Sequence, residues 1–155
     1  MKRAWIVSLA WACLACGPVF AQDKPPAAAA TACPASALDL PLEALFGTWE
    51  ARFEGLPGSA TVRLEKHPDY AGVRGTITRG VGGDTAASIA QLAGDIDQDG
   101  YLSLDESMDG HAISGVWLGE LQADACGKVF KGVWRNAADD STRPFVLTRP
   151  NPTGK

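Results

Sequence analysis

Acidic side chains occupy every second position from Asp95 to Asp99, in the segment Asp95-Ile96-Asp97-Gln98-Asp99-Gly100-Tyr101-Leu102-Ser103-Leu104-Asp105-Glu106. A hard cation such as Ca²⁺ requires several oxygen atoms that converge on one point. The candidate ligands are the carboxylates of Asp95, Asp97, Asp99 and Glu106 and the main-chain carbonyl of Tyr101. These residue types make Ca²⁺ the one candidate cofactor of the chain.

The spacing of these twelve residues resembles the calcium loop of EF-hands, with Gly100 at the sharp turn and Ser103 at the water-mediated position. That resemblance implies a helix on each side. The surrounding sequence favours a β-hairpin instead, because Asp99-Gly100 is a strong turn signal. In a hairpin, Glu106 would lie ~15 Å beyond the turn and could not complete the site. Three alternatives stay open: a hairpin without a specific metal, a turn that binds calcium through its three aspartates, and a true EF-hand loop.

A second pattern concerns the fold. Five times along the chain, a glycine has one large apolar residue two positions before it and another two positions after it. The copies are Leu45-Phe46-Gly47-Thr48-Trp49, Val73-Arg74-Gly75-Thr76-Ile77, Leu92-Ala93-Gly94-Asp95-Ile96, Ile113-Ser114-Gly115-Val116-Trp117 and Phe130-Lys131-Gly132-Val133-Trp134. At a period of two, the glycine and both apolar residues share one face of a strand. A recurrent strand glycine marks a bend or a close approach, so the pattern predicts a sheet that curls on itself.

Alternating polar and apolar residues between turn signals extend this pattern to eight strands. The predicted strands are 46–54, 59–66, 70–79, 86–96, 101–106, 111–121, 128–136 and 143–149. Eight strands joined by short turns favour an all-β, antiparallel up-and-down meander closed into a barrel, which removes exposed edges. A β-sandwich built from the same strands is the alternative, and only Leu40 to Phe46 suggests a helical turn.

Gly47-Thr48-Trp49 resembles the Gly-x-Trp of lipocalins, and the later Gly-x-Trp strands are similar to those of avidin-like barrels. This calycin-like resemblance implies a barrel with room for one small ligand. Trp49, Trp117 and Trp134 all fall on the glycine-bearing face. They either fill the core or form the walls of an apolar ligand site, and the sequence leaves both interpretations open.

The N-terminal residues indicate export. Residues 1–21 have the basic start, short apolar stretch and Val19-Phe20-Ala21 cleavage site of a signal peptide. Residues 22–37 form an Ala/Pro-rich lead-in, residues 38–149 the barrel domain and residues 150–155 a tail. We expect a periplasmic or secreted protein, with a lipoprotein anchored at Cys16 as the alternative, and no transmembrane segment. Cleavage leaves Cys33 and Cys126, which predict a disulfide bond in an exported chain.

The chain has 155 residues, a net charge of −4 and no Lys or Arg between Gly80 and Gly127. This acidic balance argues against a nucleic-acid partner. No recognisable nucleophile–base or other catalytic motif is present, so we expect a protein that is not an enzyme. The sequence therefore predicts an exported binding module. Its partner would be a small apolar ligand, or an envelope protein that it engages as an inhibitor or immunity-type protein does. A calcium-binding β protein is the alternative.

Overall fold

The computed structural model describes residues 33–80 and 86–151 and contains eight antiparallel strands. They are β1 (Gly47–Phe53), β2 (Ala60–Lys66), β3 (Val73–Arg79), β4 (Ser88–Ile96), β5 (Tyr101–Ser107), β6 (Gly115–Leu121), β7 (Val129–Asn136) and β8 (Thr142–Thr148). Each strand pairs with the next, and β8 pairs with β1. The predicted closed up-and-down barrel is confirmed, and the sandwich alternative is wrong.

Short 3-10 turns are the only helical elements in the described part of the chain: Ala37–Asp39, Leu42–Leu45 and Ala123–Ala125. The strand boundaries differ most at β6, which begins at Gly115 rather than at residue 111. Asp109 explains the difference, because its carboxylate accepts hydrogen bonds from the backbone N–H groups of His111 and Ala112. This cap holds the residues after β5 in a loop and delays the next strand.

Three of the recurrent glycines allow neighbouring strands to approach unusually closely. A Cβ atom at Gly75, Gly94 or Gly132 would lie 1.8–1.9 Å from a carbonyl oxygen of the adjacent strand. No side chain fits at that distance, so the close approach predicted from the glycine pattern is present. These positions let the sheet coil tightly enough to close with eight strands.

The end of the barrel where β1 begins and β8 ends, called the closed end here, is covered by the Leu42–Leu45 turn. Trp49 lies beneath it, 1% exposed, and packs edge-on against Phe130 with ring centroids 5.8 Å apart. The guanidinium of Arg149 lies 4.6 Å from the centre of the Trp49 ring and donates to the carbonyls of Ala44 and Phe46. Burial lowers the pKa of Arg149. Its guanidinium joins the end of β8 to the segment that precedes β1.

The predicted disulfide bond between Cys33 and Cys126 is present and joins the N-terminal segment to the loop between β6 and β7. Ser36 caps the first 3-10 turn, and Ala37 is 2% exposed. The packed structure therefore already includes residues 33–37, which the sequence assigned to the lead-in. The predicted signal peptide, Cys16, residues 22–32 of the lead-in and residues 152–155 of the tail lie outside the described residues.

Within residues 33–80 and 86–151, no helix is long and apolar enough to cross a membrane.

Removing the disulfide bond should lower stability substantially. Cys33 and Cys126 are 93 residues apart, and a cross-link over so long a loop restricts the unfolded chain by about 4 kcal/mol. We expect a C33S/C126S variant to unfold at a clearly lower urea concentration than the wild type. Reduced wild-type protein is the matched control and should behave like the variant. Equal midpoints for oxidised wild type and variant would contradict the expectation.

Candidate functional site

The opposite end of the barrel, where β1, β3, β5 and β7 end, is called the open end here and contains a cavity of about 380 Å³. Its walls are largely apolar, with polar groups at the floor and at the mouth. The lining residues are Phe53, Leu56, Arg79, Glu106, Met108, Ser114, Trp134, Asn136 and Arg143. A cavity of this size and character is typical of a site for a small ligand.

A buried carboxylate forms the floor of this cavity. Glu106 is only 2% exposed, and Arg79 binds it in a bidentate pair, with Nη1 2.8 Å from Oε1 and Nη2 2.7 Å from Oε2. The indole N–H groups of Trp117 and Trp134 donate to the same Oε2 atom, at 3.0 and 3.2 Å. Both carboxylate oxygens are therefore satisfied by protein donors, which replaces the hydration lost on burial.

The strand period explains why Glu106 points inward. Leu102 and Leu104 on β5 are buried in the core, and Glu106 occupies the next position on the same face. Arg79 follows Val73 and Ile77 on the inward face of β3 in the same way. Both charged residues lie near the open end of their strands, so the barrel brings together two residues that are 27 positions apart.

Aromatic rings surround the Arg79 guanidinium, whose central carbon lies 5.3 Å from the centre of the Phe53 ring and 6.0 Å from that of Trp134. Within the described residues, all of its hydrogen bonds go to Glu106. Its Nε–H and the second hydrogen on each Nη remain available. The Arg79 side chain is 25% exposed, so it supplies the cavity with directed donors beside the apolar side chains of Phe53 and Trp134.

Gly115 makes the position of Trp134 possible. A Cβ atom at Gly115 would lie 2.3 Å from Nε1 of the Trp134 indole. Because glycine has no Cβ atom, the Trp134 ring can lie close against β6, and its N–H reaches Glu106. The space left by this inward glycine is thus filled by the indole and not by a ligand.

The three tryptophans predicted as a ligand site have different surroundings. Trp49 lies at the closed end, and Trp117 is 0% exposed between Phe53 and Phe145, at centroid distances of 5.0 and 4.8 Å. Trp134 alone of the three lines the open-end cavity. Two indoles therefore belong to the packed core, and one belongs to the candidate site.

The candidate calcium ligands lie on a β-hairpin between β4 and β5. Asp95 faces outward, opposite Ser103, whereas Glu106 faces the interior, so the sheet separates them. In the turn, one Asp97 oxygen accepts hydrogen bonds from the N–H groups of Asp99 and Tyr101. The Tyr101 carbonyl accepts from the Asp97 N–H at 2.8 Å.

The EF-hand alternative, in which Glu106 completes a calcium site, does not fit this structure, because the Glu106 carboxylate is committed to Arg79 and the two indoles. No group of three or more His, Cys, Asp or Glu side chains is placed to hold a metal ion in the described ranges. Calcium binding by Asp95, Asp97 and Asp99 at the turn alone stays a prediction.

The loop between β5 and β6 is held in shape by Asp109. Hydrogen bonds from the backbone N–H groups of Ala112 and His111 and from the Ser107 hydroxyl lower the pKa of its carboxyl. A lowered pKa stabilises the folded state above the pKa of the unfolded chain, and this contribution is lost as the pH falls through the folded value. The loop that carries Met108 to the cavity is therefore capped at neutral pH.

The sequence did not identify Arg79, Asn136 or Arg143 as site residues. Each occupies an inward position of an alternating strand: Arg79 follows Ile77, Asn136 follows Trp134, and Arg143 precedes Phe145. They could have been recognised as polar residues near a strand end that continue the alternation of the buried apolar residues.

No family model matches this chain, and no curated protein is significantly similar to it.

A larger concavity of about 890 Å³ lies on the outer wall across β1 to β5. Its lining is formed by outward polar side chains such as Arg63 and Gln91, and the Arg74–Glu65 pair there is more than half exposed. Exposed pairs of this kind contribute little to stability or recognition. The open-end cavity, with its buried ion pair and aromatic wall, is the better candidate site.

Substituting Glu106 should destabilise the barrel. In E106Q, an amide NH₂ replaces one acceptor oxygen, and Arg79 loses its counter-charge, which should cost about 3 kcal/mol. The matched control is E65Q, which breaks an exposed pair and should change the free energy of unfolding by less than about 0.5 kcal/mol. Urea unfolding followed by tryptophan fluorescence measures both. Equal effects of the two substitutions would contradict a buried, satisfied carboxylate.

The Asp97 turn can be tested separately from calcium binding. D97N keeps a side-chain oxygen that accepts the two backbone N–H groups, whereas D97A removes it. We expect D97A to lower the free energy of unfolding by about 1 kcal/mol and D97N to change it little, with or without calcium. A calcium-dependent rise in Tm that both variants abolish would instead show that the aspartates bind the ion.

Proposed function

We propose that this protein is an exported, non-enzymatic binding module that holds a small, largely apolar ligand in the open-end cavity. The observation that carries the proposal is the combination of Phe53, Met108 and Trp134 as walls with the Arg79–Glu106 pair as floor. A site needs apolar area for affinity and a few fixed polar groups for orientation. This cavity contains both.

The floor supports binding because it is rigid before any ligand arrives. Glu106 accepts four hydrogen bonds from three strands, and Phe53 packs edge-on against both Trp117 and Trp134. Side chains held in this way lose little conformational freedom when a ligand binds. Preorganisation of this kind lowers the entropic cost of binding a ligand.

The chemistry of the lining supports a non-enzymatic role. Among the described lining residues, Glu106 is the one carboxylate, and both of its oxygens already accept hydrogen bonds. General acid–base catalysis requires a titratable group within reach of the substrate. The disulfide bond supports export, because such bonds persist in oxidising compartments.

The envelope-protein alternative is favoured by a different observation at the same end. Leu56, Met108 and Ile113 are 44–55% exposed on the loops that follow β1 and β5. A partner protein inserting an apolar side chain into the cavity would cover them. Saturable binding of one small probe per chain separates the ligand proposal from this one.

The proposal can be tested with N-phenylnaphthylamine, an uncharged apolar dye whose fluorescence rises on burial. We expect saturable binding of one dye per chain, weakened at least about tenfold in M108E, because a charge then stands in an apolar wall. The matched control is V133E, which places the same charge on an exposed apolar position of the outer wall and should bind within about twofold of wild type. Absence of saturable binding, or equal effects of the two variants, would overturn the proposal.

A further inference from the structure

The charges that line the open-end cavity do not cancel. Arg79 and Glu106 neutralise each other in their bidentate pair, whereas Arg143 adds a second guanidinium. Within 4 Å, Arg143 forms no ion pair with any residue in the described ranges. The charge of Arg143 acts on the carboxyl of Asp139, which lies on the turn before β8. The pKa of Asp139 is lowered mainly by Ser141 and only slightly by Arg143. Among the described residues that line the cavity, the two guanidinium groups of Arg79 and Arg143 therefore outnumber the one carboxylate of Glu106.

The register of β7 and β8 places this charge beside the aromatic wall. Arg143 lies directly opposite Trp134 and shares the inward face with Phe145 and Leu147. It lies near the rim, where the strand leaves the core, and its side chain lines the cavity. A ligand that packs against the Trp134 ring thus comes within reach of the Arg143 guanidinium.

The unused hydrogen-bonding groups of the cavity are mainly donors. The Nε–H of Arg79 and the second hydrogen on each of its Nη atoms are available. The Asn136 side-chain oxygen accepts from the Ala138 N–H, which leaves its NH₂ group for another partner. On the acceptor side, both carboxylate oxygens of Glu106 already accept hydrogen bonds from Arg79 and the two indoles. A cavity with more spare donors than spare acceptors is complementary to a ligand rich in acceptors.

We infer that the ligand of the open-end cavity carries one anionic group, such as a carboxylate or sulfonate, which Arg143 and the free N–H groups of Arg79 bind, while its apolar body packs against Phe53 and Trp134. This inference rests on the proposed function and specifies its ligand class. The anion would lie between the two guanidinium groups, so that charges alternate from Glu106 through Arg79 and the ligand to Arg143.

A pair of dyes that differ by one sulfonate group tests the inference. Anilinonaphthalene sulfonate has the apolar body of N-phenylnaphthylamine and one added sulfonate. We expect wild-type protein to bind the sulfonate about tenfold more tightly than the uncharged dye, and R143Q to reduce this ratio to about twofold or less. The control is R135Q, which removes an arginine from the outer wall, where it pairs with Asp140 at 2.6 Å, and should keep the wild-type ratio.

The outcomes separate the two proposals. If the uncharged dye binds with saturation but the sulfonate binds no better, the proposed function stands and the anionic ligand is overturned. The anionic ligand is also overturned if R143Q keeps the wild-type ratio of the two affinities, or if that variant binds neither dye. In both cases Arg143 would not recognise the anion specifically. If neither dye binds to wild-type protein, the proposed function itself fails.

Discussion

Glu106 is a carboxylate inside a barrel, and removing such a group from water costs several kcal/mol unless protein donors replace its hydration. The replacement comes from Arg79 on β3, Trp117 on β6 and Trp134 on β7. Glu106 lies on β5, so Trp117 is on the neighbouring strand, whereas Arg79 and Trp134 are each two strands away, on opposite sides of the barrel. The requirement to satisfy one buried acid therefore fixes the relative positions of strands on opposite walls and the shape of the cavity above them.

The two ends of the barrel use the same interaction with different results. At the closed end, Arg149 lies against Trp49 and donates to backbone carbonyls of the covering N-terminal segment, which seals that end. At the open end, Arg79 lies beside Trp134, but its partner is a carboxylate in the floor, and in the described residues no segment of the chain covers its remaining donors. A cation beside an indole thus closes one end of the barrel, where main-chain carbonyls accept from it, and keeps available donors at the other end, where its described partner is a carboxylate.

The strands and their closure could be predicted because a period of two and strong turn residues are local properties of the sequence. The site could not be predicted in the same way. The EF-hand spacing counts residues along the chain, whereas in a hairpin the strand face decides which side chains meet. Asp95 and Glu106 fall on opposite faces, so their apparent partnership disappears. The true partner of Glu106, Arg79, is 27 residues away. The two residues have in common only that each points into the barrel and lies near its open end.

The repeated glycine motif has two physical roles that its regular spacing does not distinguish. At Gly75, Gly94 and Gly132, a missing side chain lets two backbones approach, which is a requirement of curvature. At Gly115, the missing side chain accommodates the Trp134 ring, which comes from the next copy of the motif. A larger residue at Gly115 would displace that ring and with it a donor to Glu106. One sequence pattern therefore serves two purposes: at three of its positions it lets the sheet curve, and at Gly115 it makes room for the indole that donates to the buried carboxylate.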